Sequence, residues 1–343
     1  MDEQPELQPQ EETGLCKNCN VNPIAQGYPN PLCESCRQQF IRFPIPIWVK
    51  GFGIGGSVLV LLGLFNFPKQ ITTGIHMRRA DNAIAEKKYL TAEKELRKVL
   101  VDAPEMKNAK LEMVIAAYYN LDIPTLAATI KGMKDVSFEK NSNFNTAQDL
   151  IAEADNFFPS DSLYMLLKKY PNPENYQDQF RSYVVLHPDE PYAVTMYVNI
   201  FSEKESPAWS DSMIHKILDK NPAYMKGIMD AILIARMQHH YDSALNYCRD
   251  LLALNAECSF AVAAQSRVYL AKGDFPEGIE LAKKACAIDS TDGFSQASLA
   301  LGYHLNHQTE ERDRLIASKS SDSTMSYYMD YVKEVMSGKE KFN

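Results

Sequence analysis

The sequence contains no His-Glu-x-x-His, Gly-x-Ser-x-Gly or P-loop pattern, and so none of the ready-made constellations for zinc hydrolysis, acyl transfer or phosphate chemistry. It has no cluster of lysine and arginine. With 36 basic against 44 acidic residues and a net charge of −8, it lacks the means to release counterions from a phosphate backbone, which excludes a nucleic-acid grip. After residue 68 there is no sustained strand alternation and no Asn-Gly hairpin signal, so a β-rich body is excluded. Only one apolar run reaches spanning length, which excludes a polytopic transporter. The run starts too late, behind too many acids, to be a cleavable signal peptide. The seven cysteines are not the even, dense set of a secreted disulfide scaffold. Four precede the run, and Cys248, Cys258 and Cys286 after it read as small buried hydrophobes.

The apolar run lies in PIPIWVKGFGIGGSVLVLLGLFNFP, residues 44–68, and it divides the chain. Gly51 to Phe67 carry no charge, and at about 1.5 Å per helical residue they cover most of a hydrocarbon core about 30 Å thick. Lys50 at the interface extends the span, with Trp48 on one side and Phe65 and Phe67 on the other as an aromatic belt. The flanking prolines are expected to stop the helix at both ends. Gly51-x-x-x-Gly55 and Gly53-x-x-x-Ser57 suit close approach of two spans, hence a homodimer through this helix.

Residues 1–14 hold five acids and no base and read as a disordered tail. Residues 15–42 contain Cys16-Lys-Asn-Cys19 and Cys33-Glu-Ser-Cys36. Each Cys-x-x-Cys turns tightly enough to aim two thiolates at one ion, and four thiolates complete a tetrahedral shell. Turn residues fill the linker between them, and a helix begins near the second pair. The expected cofactor is one structural Zn2+ on Cys16, Cys19, Cys33 and Cys36, because a closed shell leaves no position for catalysis. This segment resembles zinc-ribbon and treble-clef modules, which implies a metal site and no particular role.

Beyond the span, apolar residues recur at helical spacing and the pattern repeats. Tyr241 and Ala244 correspond to Phe275 and Gly278, and the His187-Pro188 and Asn221-Pro222 pairs are likewise 34 residues apart. Nearer the span, Ala80, Tyr89, Ala92, Leu96 and Pro104 fill comparable positions. A period of 34 with small, aromatic, Ala, large apolar and Pro residues in this order resembles the tetratricopeptide repeat. The resemblance implies an all-α solenoid of helical hairpins over residues 71–318, stacked into a superhelix with an inner groove. The distance from Pro104 to Pro188 is two periods plus 16 residues, and the surplus is expected in the irregular stretch 137–160. Residues 319–343 read as a cap helix and tail.

The function these readings support is a membrane-anchored protein-interaction scaffold with no catalytic activity of its own, binding a peptide or protein through the repeats. The second reading is an accessory or regulatory subunit of a membrane enzyme or protein-quality-control complex, whose zinc head senses metal or redox state. Reversible loss of zinc under mild oxidant separates the two. Basic residues flank the span equally, so orientation rests on the thiolates, which need a reducing compartment. The N-terminus is expected in the cytosol and the repeats on the opposite side. The 34-residue register places Asn199, Leu233 and Arg267 at one position of successive first helices, with Arg236 one turn from Leu233. In the family it resembles, that position faces the groove. The two arginines are expected there as a basic patch for an acidic or C-terminal carboxylate of an extended peptide. His304 and His307, followed by Glu310 and Glu311, have a spacing that could hold a metal but read first as a solvated helix end.

Overall fold

The structure is a computed structural model that describes residues 14–41, 45–134, 136–138, 140–170, 176–201, 205–319 and 323–342, with backbone alone for 62–68 and 323–324. The acidic tail thus falls almost wholly outside the described residues. Contacts divide the chain into Met1–Pro68 and Lys69–Asn343.

In the first unit, an isolated antiparallel bridge joins Leu15 to Pro23, and helix α1 (Glu34–Ile41) follows. Helix α2 runs from Ile47 to Ala85. The stop expected at Pro68 does not occur. A proline removes one helical hydrogen bond and bends the axis, and a helix continues when its neighbours favour it. Every residue from Ile47 to Leu61 is exposed, with Phe52 at 81% and Leu59 at 71%. Among the described residues, no helix is long and apolar enough to cross a membrane. Of the expected span, Pro44 and the side chains of 62–68 lie outside the described residues.

The second unit is helical throughout its described residues. After α2 come α3 (Tyr89–Asp102), α4 (Lys107–Tyr119), α5 (Ile123–Gly132), α6 (Ser142–Glu153), a 3-10 turn at Ala154–Phe157, α7 (Asp161–Lys169) and α8 (Gln177–Leu186). Then follow α9 (Pro191–Phe201), α10 (Pro207–Lys220), α11 (Met225–Met237), α12 (Tyr241–Leu254), α13 (Ser259–Ala271), α14 (Phe275–Ile288), α15 (Gly293–Leu305), α16 (Thr309–Lys319) and α17 (Ser323–Ser337).

Two local devices repeat with the period. The first closes five of the hairpin turns. Lys87, Leu121, His239, Gly273 and His307 all have left-handed backbone, φ 55, 55, 60, 84 and 58°. At Leu121 the two bonds of a Schellman end are present, Leu121 N to Tyr118 O at 3.1 Å and Asp122 N to Ala117 O at 3.0 Å, and the same pair recurs at the other four turns. The second device precedes the first helix of a repeat. Asn221, Asn255 and Asp289 each accept with a side-chain oxygen from the amide two residues on, at 3.2, 3.0 and 2.9 Å. Small residues let paired helices approach. A Cβ on Gly278 would lie 2.6 Å from Leu270 Cγ.

The surplus residues lie later than expected. Helix α6 starts 35 residues after α4, close to register, whereas α9 starts 191 − 142 = 49 residues after α6. The extra element is α8, held by Phe180 and Val184, both fully buried, with Phe180 against Tyr197 at 5.2 Å and Phe201 at 6.4 Å.

Candidate metal centre and inner face of the repeats

The head builds its site from two turns. Asn20, with φ 50°, donates its amide to Cys16 O at 2.8 Å and closes the first knuckle. Cys33 precedes α1, and Cys36 sits in its first turn. The Sγ atoms of Cys16, Cys19, Cys33 and Cys36 all lie within 4.8 Å of one another, three of the residues buried and Cys19 half-buried. Asn18 Nδ2 donates to Cys36 Sγ at 3.4 Å, and Ser35 Oγ lies 3.3 Å from Cys33 Sγ. The Ser35 hydroxyl and the Cys36 amide pull the Cys33 thiol down to about 6. Cys36 is eased downward by Asn18 but pushed up to about 11 by Cys33, burial and the other two thiols. Four sulfurs this close cannot all ionise without a cation among them, and a closed shell of four sulfurs fits a zinc ion. Among the described residues, this is the only group of three or more His, Cys, Asp and Glu side chains close enough to hold a metal. His304 instead has its Nδ1 3.2 Å from Arg312 Nη1.

The row of first helices carries a ladder of side-chain bonds, each spanning 31 residues of sequence. Asn143 Nδ2 donates to Glu112 Oε1 at 3.1 Å, Asn199 Nδ2 to Asp230 Oδ1 at 3.2 Å, and Arg267 Nε to Ser298 Oγ at 2.8 Å. Glu112 and Asp230 hold the same place, the sixth residue of α4 and of α11. Both are buried, and each keeps one carboxylate oxygen without a partner among the described residues. Burial, and for Glu112 also the neighbouring Asp81, pushes the two carboxyls up to about 8 and about 7 respectively.

The accessible basic patch expected from the register is not formed. Asn199 is exposed and Leu233 half-buried, but Arg236 and Arg267 retain only 6% and 4% of their accessible surface. The Arg267 guanidinium lies 3.8 Å over the Phe294 ring and 5.6 Å from that of Tyr331 on α17. Burial and Arg236 together push it down to about 9. Arg236 Nε and Nη1 have no partner among the described residues, and burial lowers its pKa. Two further features are encoded by no periodicity. Helix α17 lays Tyr331 beside Arg267, and distant repeats are bonded together.

That second contact is the site that periodic reasoning missed. The segment after α12 docks on the first repeats. Ala256 N donates to Lys87 O at 2.9 Å, and Lys87 Nζ to Ala253 O at 2.6 Å. Asn255, 2% exposed, donates through Nδ2 to Tyr119 O at 2.9 Å, satisfying a carbonyl at the end of α4. Glu257 takes the amide and hydroxyl of Thr91 at 2.7 and 2.6 Å. Beside this junction lies a cavity of about 260 Å³ whose apolar lining includes Leu90, Met225, Met229 and Phe260. The residues were visible in the sequence, but no signal pairs positions 166 apart.

No protein-family profile matches the chain, and no curated protein matches it in sequence. Among solved structures it is similar to a tetratricopeptide repeat protein from Parabacteroides merdae, at 11% identity over 78% of this chain and 98% of that one, with a TM-score of 0.41. It is also similar to MamA, at 13% identity over 53% and 98%, TM-score 0.35, and to the P58(IPK) TPR domain, at 10% over 86% and 100%, TM-score 0.25. Likeness at this level adds no argument to the helix pairing described above.

Proposed function

We propose that the chain is a membrane-anchored interaction scaffold: a structural zinc module on Cys16, Cys19, Cys33 and Cys36, a single span within residues 44–68, and a helical-repeat body that holds a peptide or protein partner. The observation that carries the reading is the helix from Ile47, on which fifteen successive residues, Trp48, Phe52, Ile54, Leu59 and Leu61 among them, stay exposed. An apolar surface that large is covered by lipid or by protein, and the uncharged stretch Gly51 to Phe67 has the length for lipid. The zinc thiolates need a reducing compartment, which puts the head in the cytosol and the repeats across the membrane. The small-residue pairs on the helix, Gly51 with Gly55 and Gly53 with Ser57, suit a second copy in the bilayer.

Membrane association is tested by alkaline carbonate extraction of native membranes. Release of the full chain into the supernatant would remove the anchor from the reading. Orientation is tested with an impermeant thiol reagent on intact cells carrying Gln8→Cys or Ser320→Cys. Labelling at residue 320 and not at residue 8 is expected, and the opposite pattern reverses the assignment.

A further inference from the structure

The two arginines expected to recruit an acidic partner are buried, and the cavity beside the junction of residues 253–257 with the first repeats has the opposite character. Its walls include Leu90, Met225, Met229 and Phe260, and its carboxylates are Glu257, Asp289 and Asp292. Among the described residues that line it there is no lysine and no arginine. Lys88 lies near enough to feel the charge of Glu257, but its ammonium is bonded to Glu86 at 2.5 Å.

We propose that this cavity seats one arginine or lysine side chain of a protein partner. The proposal rests on the scaffold reading and names the partner's chemistry. A long cationic side chain is apolar along its stem and charged at its tip, and it is stabilised where an apolar wall ends in acids. Methionines suit such a wall, because an unbranched thioether adapts to the stem it meets. Met229 and Phe260 are half-buried and so reachable, while Met225 closes the floor at 2% exposure. Asp289 accepts from the amide and hydroxyl of Thr291, Asp292 from the amides of Phe294 and Ser295 and the Ser295 hydroxyl, and Glu257 from the amide and hydroxyl of Thr91; a carboxylate offers about four lone-pair sites, so each of the three can take a further donor. A cation against three carboxylates at the edge of an apolar pocket is the arrangement of a buried anchor residue at an interface.

The test uses the full-length protein in lipid nanodiscs and a fluorescent Ala-Leu-Arg-Leu-Ala peptide, read by polarisation against the same peptide with citrulline or glutamate at the centre. The arginine peptide is expected to bind about tenfold or more tightly than the citrulline peptide, the margin of a charge-assisted contact. That margin should disappear in Glu257→Gln/Asp289→Asn/Asp292→Asn. Asp289→Asn keeps its local bonds, since one oxygen accepts both and Asn221 and Asn255 make the same turn at equivalent positions; Glu257→Gln and Asp292→Asn each keep one of two accepting oxygens, so a thermal melt of the triple variant accompanies the binding measurement. Met229→Trp, which fills the cavity without touching a charge, should weaken the arginine peptide alone. Equal binding of the arginine and citrulline peptides by the unmodified protein, or preference for glutamate, overturns the proposal. If crosslinked partner capture by the repeats survives undiminished in the folded triple variant, the cavity is not the seat and the scaffold reading stands.

Discussion

Thr91, the third residue of α3, donates its amide and its hydroxyl to the two oxygens of Glu257, at 2.7 and 2.6 Å. Lys88, at the N-cap of that helix, offers no side-chain bond. The capping oxygen that a helix usually takes from its own Ser, Thr, Asp or Asn is here supplied from 166 residues away.

This tertiary cap gives a graded expectation. Glu257→Ala should lower stability by about 0.5 to 2 kcal/mol, the range for losing an N-cap, and Glu257→Gln by clearly less. Thr91→Val should remove the hydroxyl half alone. Denaturant unfolding of the single and double variants checks this, and additive effects would show that the two residues are not coupled.

The buried arginines differ in what they hold. Arg267 is bonded to Ser298 and lies over Phe294, whereas Arg236 keeps two unpartnered nitrogens. Arg236→Met is expected to be neutral or stabilising, because it removes an uncompensated buried charge. Arg267→Met should cost about 1 to 3 kcal/mol, as the Ser298 hydroxyl and the ring lose their partner. Thermal melts of the two variants should fall on opposite sides of the parent or clearly apart.

Glu112 and Asp230 make stability fall as pH rises. Their folded pKa values, about 8 and about 7, lie above the unfolded values near 4. Between those limits the folded state binds more protons than the unfolded one, so the stability they contribute is full below pH ~4 and is lost as pH climbs through about 7 and about 8. Glu112→Gln with Asp230→Asn should flatten this dependence and raise the melting temperature most at pH 8. A parallel pH profile in the double variant would refute the assignment.

How much could be read in advance follows from the range of each interaction. The helical hairpins are legible because Tyr241, Ala244, Phe275 and Gly278 report short-range packing at fixed spacing. The four cysteines are legible because a metal demands its ligand types locally. Four of the five turns hide their signal, since Lys87, Leu121, His239 and His307 adopt the backbone that glycine marks at Gly273. The place of the surplus helix was misjudged because α6 keeps near-register through a stretch poor in signature residues. The cover over Arg267 includes Tyr331 of α17, and the docking of Asn255 and Glu257 joins segments more than 130 residues apart; a period is blind to both.

Those turns yield a stabilising substitution. His239 is exposed, with φ 60°, and a residue with a Cβ pays about 1 to 2 kcal/mol in the left-handed region. His239→Gly should gain up to about 1 kcal/mol after the added freedom of the unfolded chain is set against it. An unchanged or lower denaturation midpoint would sink the idea.

Zinc removal has its own signature. One zinc per chain is expected by elemental analysis, and Cys33→Ser should abolish it and expose the head to protease, since the segment holds too little apolar surface to stay folded alone. Full metal content in that variant would exclude the four-sulfur site.

An open stack of repeats touches only its neighbours, so it can begin folding anywhere and grow or fray from either end. The bonds from Lys87, Thr91 and Tyr119 to residues 253–257 withdraw that freedom. During synthesis the first repeats emerge without their cap and, at roughly 5 to 20 residues per second, wait on the order of ten to thirty seconds for residue 257 to appear. Until then they are an incomplete edge that a chaperone on the repeats' side of the membrane could shield, and a chain truncated before residue 253 would leave them so permanently. A change at residues 253–257 would therefore be felt first in how the N-terminal repeats survive their own biosynthesis.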